Sequence, residues 1–288
     1  MESILSPFSV VFGQVLNFLY GLVGNNFGIA IILFTIVIKV ILLPIAIMQQ
    51  KNMQKNAKIQ GKVKELHEKY KNNQEMLSKK TMELYKSENM SPLSGCSGCL
   101  TAIVQILLIF SVFFVVSKPL TYMKNVPKET IDRYKEEIQV GNTGYYEIKI
   151  INQKAMEDDA VNINMNFLGL DLSKVPKENM QDFTVYIIPV LYVISSIISI
   201  KITTKMQQET LNKNKTDNGK QLIDPNKPDQ EEAMLQMTKN MNYIMPIMTV
   251  SIAFIAPLGL ALYWFVSNIW MIAERFIIKK FVGVKEEK

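Results

Sequence analysis

The sequence predicts an all-α polytopic membrane protein with five transmembrane helices, a basic helical hairpin and an N-terminal interfacial helix. Of its 288 residues 48% are hydrophobic and 20% charged, yet the charges gather in blocks between long uncharged runs, a layout that soluble domains do not show. The blocks also differ in sign: the first is strongly basic and the second slightly acidic. That asymmetry assigns sides of a membrane.

Residues 1–24 hold Pro7, Gly13, Gly21, Gly24 and the Asn25–Asn26 pair close behind. Gln14, Asn17 and Gly21 fall at helical spacing and leave Phe8, Val11, Phe12, Val15, Leu19 and Leu22 for the other face, so this stretch reads as an interfacial helix lying on the membrane. A sixth span over residues 4–23 is the competing reading. No Lys or Arg precedes the apolar region and no small-residue cleavage site follows it, so a signal peptide is not expected.

Residues 25–48 form the first span. FGIAIILFTIVIKVILLPIAIM, residues 27–48, is 22 residues of nearly unbroken aliphatic sequence, about 33 Å as a helix against a hydrocarbon layer of about 30 Å. Lys39 interrupts it. Nine residues separate Lys39 from Met48, roughly 13 Å of helix, which is more than a Lys side chain spans by snorkelling. A Lys near the centre costs insertion about 2.5 to 3.5 kcal/mol, while the surrounding Leu, Ile, Val and Phe return roughly 0.3 to 0.6 kcal/mol each. The helix still inserts, and its cation must face other helices or water rather than lipid. Thr35 lies one turn earlier on the same face.

Residues 49–91 carry ten Lys against five Glu up to Met90, with apolar residues at helical spacing and KNNQ at 71–74 as punctuation. They read as a hairpin of two amphipathic helices on the cytoplasmic side. Residues 96–117 form the second span, with Gln105 and Thr101 on one face; a buried Gln needs partners within the bundle. Residues 118–182 carry nine basic and eleven acidic residues, which places them outside. KETIDRYKEEI reads there as a short helix and YYEIKIINQ as a strand.

Residues 183–201 form the third span, with Tyr192, Ser195, Ser196 and Ser199 marking a hydroxyl-rich face. Residues 202–239 form a charged cytoplasmic loop. Residues 240–273 are 34 residues without a charge, about 51 Å as one helix and too long for one crossing. APLG at 256–259 divides them into a fourth span, 240–256, and a fifth, 257–277. The tail, 278–288, is basic. Five spans put the termini on opposite sides, the N-terminus outside and the C-terminus in the cytoplasm.

The net charge of +6 does not indicate nucleic-acid readout, because the Lys residues flank apolar spans instead of interleaving with aromatics. Cys96 and Cys99 stand without a second pair or a nearby His, so no metal is expected. No nucleotide-binding loop or catalytic triad pattern occurs, so neither a cofactor nor an enzymatic activity is expected.

IVIKVILLPIAIMQQKNMQK at 36–55, KYKNNQEMLSKKTMELYKSENMSPLSGC at 69–96, Gln105, NFLGLDLS at 166–173, and MNYIMPIM with PLGLALYWFVSN within 241–268 together resemble the YidC/Oxa/Alb membrane protein insertases, in the short form typical of Gram-positive bacteria. The resemblance implies five core helices around a hydrophilic groove open to the cytoplasm and to lipid but closed toward the outside. It implies a cation in the first core helix that attracts the polar or acidic external segment of a nascent membrane protein, and Lys39 holds that position. Thr35, Gln105, Ser195, Ser196, Tyr263, Ser267 and Asn268 are candidate lining. Implied partners are nascent membrane proteins, the Sec translocon, the ribosome and the lipid bilayer.

Three departures stand out. Lys replaces the family's usual Arg, losing the planar fork but not the attraction. CSGCLTAIVQ lacks the Pro residues usual at the second span, and residues 126–159 exceed the short form. Two rival functions are a small secondary transporter using Lys39 as a charge relay, for which no paired inverted repeats appear, and a passive membrane assembly factor.

Overall fold

A computed structural model describes residues 2–71, 73–87, 97–141, 143–217 and 249–283. Among them the architecture is helical apart from one two-residue ribbon. The helices are α1 (Glu2–Leu22), α2 (Phe27–Lys69), α3 (Gln74–Ser87), α4 (Ser97–Ser117), α5 (Pro119–Tyr122), α6 (Lys128–Glu137), α7 (Tyr146–Lys154) and α8 (Ile187–Asp217). They continue with α9, helical over the described residues 249–255, and α10 (Leu258–Gly283). The ribbon pairs β1 (Asn166–Phe167) with β2 (Leu170–Asp171) in antiparallel register.

Among the described residues four stretches have the length and composition to cross a membrane: Leu5–Leu22, Phe27–Asn52, Phe183–Met206 and Leu258–Ile278. Leu107–Ser117 is a shorter apolar stretch within α4. The chain is thus an all-α polytopic membrane protein. The expected fourth span is described only from residue 249, and the expected loop 202–239 only to residue 217. Residues 284–288 of the tail and 88–91 of the expected hairpin lie outside the described residues.

Compact packing divides into two units. One falls within Met1–Ile41, Ile106–Ile200 and Asn240–Ala273, the other within Leu42–Gln105, Lys201–Lys239 and Glu274–Lys288. In the first, a single core joins Phe27, Ile31 and Phe34 of α2, Val115 of α4, Leu120 of α5, Ile150 and Ile151 of α7, and Leu258 and Leu260 of α10. The 118–182 segment therefore shares its core with the long helices instead of building one of its own.

α1 packs against α5 and touches α2. The rings of Phe12 and Phe34 meet edge to face with centroids 5.9 Å apart. Its protein-facing stripe is Leu5, Ser9, Leu16, Leu19 and Tyr20, with Gly13 against the Tyr122 backbone. Phe8, Val11, Phe18 and Leu22 remain exposed. Small residues allow close helix approach while the bulky apolar side is left for lipid.

Two expectations change. α2 runs without a break through residue 48, with Pro44 inside it, so the first span and the first arm of the expected hairpin are one helix. Gln, Lys and Met follow Met48 and sustain helix once it is nucleated. The stretch expected as a strand, YYEIKIINQ, is instead mostly helix α7. Glu147, Ile148, Ile151 and Lys154, at helical spacing, are all buried, and Ile150 is buried beside them. α7 is enclosed on more than one side, so its buried residues do not keep to a single helical stripe.

Segment 164–174 ties three helix ends together. The N–H of Phe27 donates to the Asn164 carbonyl at 3.1 Å, and those of Leu258 and Gly259 donate to the carbonyls of Lys174 and Leu172 at 3.0 and 2.9 Å. The Asn164 N–H donates to the Tyr20 hydroxyl at 2.9 Å. Asn26 donates from Nδ2 to the Asn166 carbonyl at 2.9 Å and accepts at Oδ1 from Ile29, capping α2. The N–H groups that begin α2 and α10 are thereby satisfied by another segment's backbone.

In the second unit the chain turns at Tyr70 and Lys71, and Asn73 Oδ1 caps α3 by accepting from the Met76 N–H at 3.0 Å. KNNQ does end one helix and begin the next, because Asn competes for backbone hydrogen bonds. Arg275 donates to Gln50 at 3.5 Å.

Candidate functional site

Lys39 sits on α2 twelve residues after Phe27, about 18 Å along the helix. Its face starts sealed and then opens. Phe27, Ile31 and Thr35, at intervals of four, are 1%, 0% and 1% exposed, whereas Lys39 is only half-buried. Leu42 and Leu43, three and four residues further along the same face, are half-buried as well. The Thr35 hydroxyl donates to the Ile31 carbonyl at 2.7 Å, so it is satisfied within its own helix.

The hydroxyl-rich face of α8 meets α10. Asn268 donates from Nδ2 to Ser196 Oγ at 2.6 Å and reaches Ser195 Oγ at 3.5 Å. Ser195 itself donates to the Tyr192 carbonyl at 2.8 Å. The rings of Tyr192 and Trp264 lie 6.3 Å apart beside this contact. Ser195, Ser196, Asn268 and Tyr263 are all buried. Ser267 Oγ is also buried. Five of the sequence-predicted residues, Ser195, Ser196, Tyr263, Ser267 and Asn268, thus lie on two packed helices.

Gln105 belongs to α4, but its side chain lies outside the described residues. Ser199, which the sequence places on the hydroxyl-rich face but not among the lining candidates, is buried one turn beyond Ser195. Its signal was the four-residue interval of small hydroxyl residues. Ser111 was left out as well: its hydroxyl donates to the Leu107 carbonyl, and its own carbonyl accepts from Ser9 at 3.4 Å.

These groups carry hydrogen-bonding capacity and one cation on otherwise apolar helices.

Comparison with known proteins adds the family. The model of the family described as 60Kd inner membrane protein matches residues 18–286. A protein of Fusobacterium nucleatum subsp. nucleatum named Membrane protein insertase YidC is 28% identical over 256 residues, covering 89% of this chain and 87% of that protein. Proteins of the same name from Francisella tularensis subsp. novicida and subsp. tularensis are 41% identical over 111 residues, covering 38% of this chain. That match spans 19% of the Francisella proteins.

Proposed function

Because the chain belongs to the 60Kd inner membrane protein family, we propose that it is a membrane protein insertase, receiving nascent membrane proteins and lowering the barrier for moving their polar segments across the bilayer. The reading rests on one observation above the rest: the buried face of α2 becomes accessible at Lys39, far enough along the helix to lie at membrane depth.

The mechanism is electrostatic and solvational. Lys39 attracts the acidic or polar end of the client, and Thr35, Gln105, Ser195, Ser196, Tyr263, Ser267 and Asn268 line a hydrophilic groove that keeps that end hydrated. The client's apolar helix then enters lipid, driven by burial alone. No catalytic step and no cofactor is required.

The charge distribution supports an N-terminus outside and a C-terminus in the cytoplasm. The basic surface of α3 and the far half of α2 would then face the ribosome, the Sec translocon or the arriving client. Deleting residues 53–87 should impair insertion while leaving the protein in the membrane. Full activity after that deletion would remove this surface from the mechanism.

The test of the main reading replaces Lys39 with Arg, Gln and Glu and follows a single-span client with an acidic external tail. Arg should sustain insertion, and Gln and Glu should reduce it, Glu most. Equal insertion by Gln and Lys would refute charge attraction; unchanged insertion after depletion of the whole protein would refute the insertase reading.

A further inference from the structure

The ribbon β1–β2 turns through Leu168 and Gly169, both at positive φ, 51° and 82°. That pair of angles belongs to the tight hairpin turn that ordinarily takes Asn or Gly at its first central position. A Leu there is strained, and this one is also 86% exposed. In water it would carry an unfavourable backbone and gain nothing from burial.

Its level relative to the bilayer is fixed by contacts. The preceding residue, Phe167, lies against Gly28 in the first turn of α2, close enough that a Cβ on Gly28 would fall 2.5 Å from the ring. The apolar stretch beginning there, Phe27–Asn52, has 26 residues, about 39 Å of helix for a hydrocarbon layer of about 30 Å. Its first turn therefore lies near the boundary between acyl chains and headgroups. β2 lies against the 3₁₀ turn Phe183–Tyr186, where the apolar stretch Phe183–Met206 begins. Phe183 is 85% exposed and Met180 64%. The neighbouring ion pair of Lys174 with Asp182, at 2.8 Å, keeps charge beside this edge.

We propose that Leu168, Met180 and Phe183 form an apolar edge that enters the acyl region of the leaflet on the side of the 118–182 segment, anchoring the β1–β2 ribbon to the bilayer. Lipid is the occupant because the edge adjoins two membrane-crossing stretches at the level where they begin. The inference rests on α2 and α8 spanning the membrane and not on the insertase reading.

The experiment uses the full chain in phosphatidylcholine–phosphatidylglycerol liposomes, with Cys96→Ser and Cys99→Ser as background. Nitroxide labels are placed at Leu168→Cys, at Phe183→Cys and, as control, at Glu136→Cys on the exposed side of α6. The ratio of oxygen to nickel-chelate accessibility should be several-fold higher at 168 and 183 than at 136. A ratio at either position equal to that at 136 overturns the anchor. Low access to both reagents overturns it too and assigns the edge to a second copy of the chain. In the unsubstituted protein, photolysis of a lipid with a diazirine high in its acyl chain should place adducts on the peptide containing Leu168. Adducts confined to the long helices would equally overturn the proposal.

Discussion

Asn268 on α10 donates a 2.6 Å hydrogen bond to Ser196 on α8, and both side chains are buried. Between helices set in lipid there is no hydrophobic difference to hold them, so such a bond and the ring contact of Tyr192 with Trp264 act as the fastening. The same two residues are candidate groove lining, so their contribution to stability must be separated from any contribution to insertion.

Replacing Asn268 with Ala should lower stability by about 0.5 to 2 kcal/mol, the range for interhelical hydrogen bonds in membranes. Ser196→Ala should cost a similar amount, and the double substitution less than the sum, because each single change already breaks the bond. Thermal midpoints of the four proteins in nanodiscs measure this. Full additivity would show that the two side chains do not interact.

Much of this arrangement was legible in the sequence, and the reasons differ by element. The α2 span and its Lys stood out because one cation among aliphatics is costly in lipid. The break between α9 and α10 was legible from the length of the uncharged run and the Pro within it. Helix α7 was not, because burial on several sides removes the single apolar stripe that marks a helix. The β1–β2 turn was not, because it places Leu168 where a hairpin normally announces itself with Asn or Gly. The continuity of α2 past residue 48 was hidden because hydropathy changes there while helix propensity does not. The junction of Ser195 and Ser196 with Asn268 joins residues more than seventy positions apart, which no local pattern encodes.

Glu147 gives the 118–182 segment a pH dependence. It is fully buried on α7, and its carboxylate accepts from the Thr121 N–H at 3.0 Å and the Thr121 hydroxyl at 2.5 Å. Burial pushes its pKa from the ordinary 4.5 to about 7, against the hydrogen bonds from Thr121 that favour the anion. Between those values the folded protein binds a proton that the unfolded chain has released, so stability falls as pH rises from about 4.5 to about 7 and levels off above that. The integrated loss is on the order of 3 kcal/mol. Glu147→Gln should abolish that slope, and thermal unfolding of both proteins from pH 5 to 8 checks it. A wild-type slope of the opposite sign would mean the carboxyl is not held neutral by burial.

Two glycines of α1 should respond in opposite directions. A Cβ at Gly13 would fall 1.9 Å from the Tyr122 carbonyl oxygen, a backbone atom that cannot swing aside, whereas one at Gly21 meets nothing within 4 Å. Gly13→Ala should therefore cost about 1 to 3 kcal/mol by forcing α1 from α5. Gly21→Ala should gain about 0.5 to 1 kcal/mol through reduced backbone entropy in the unfolded chain. Thermal midpoints of the two variants in the same detergent compare them directly, and a Gly13→Ala protein as stable as the parent would place α1 differently.

Phe167 is the side chain through which the β1–β2 ribbon grips the start of α2, its ring filling the space that Gly28 leaves. The carbonyls just beyond it, on Leu172 and Lys174, accept from the first N–H groups of α10. Loss of the ring should therefore loosen both helix starts at once. For Phe167→Ala, partly buried, a loss of about 1 to 2 kcal/mol is expected, a factor of roughly 5 to 30 in the local opening equilibrium. Hydrogen exchange of the Phe27, Leu258 and Gly259 amides should accelerate by that factor, while amides of α3 in the other unit should not change. Acceleration at Phe27 alone would show that the ribbon holds α2 and α10 independently, and uniform acceleration across the chain would show that Phe167 supports the whole fold rather than this junction.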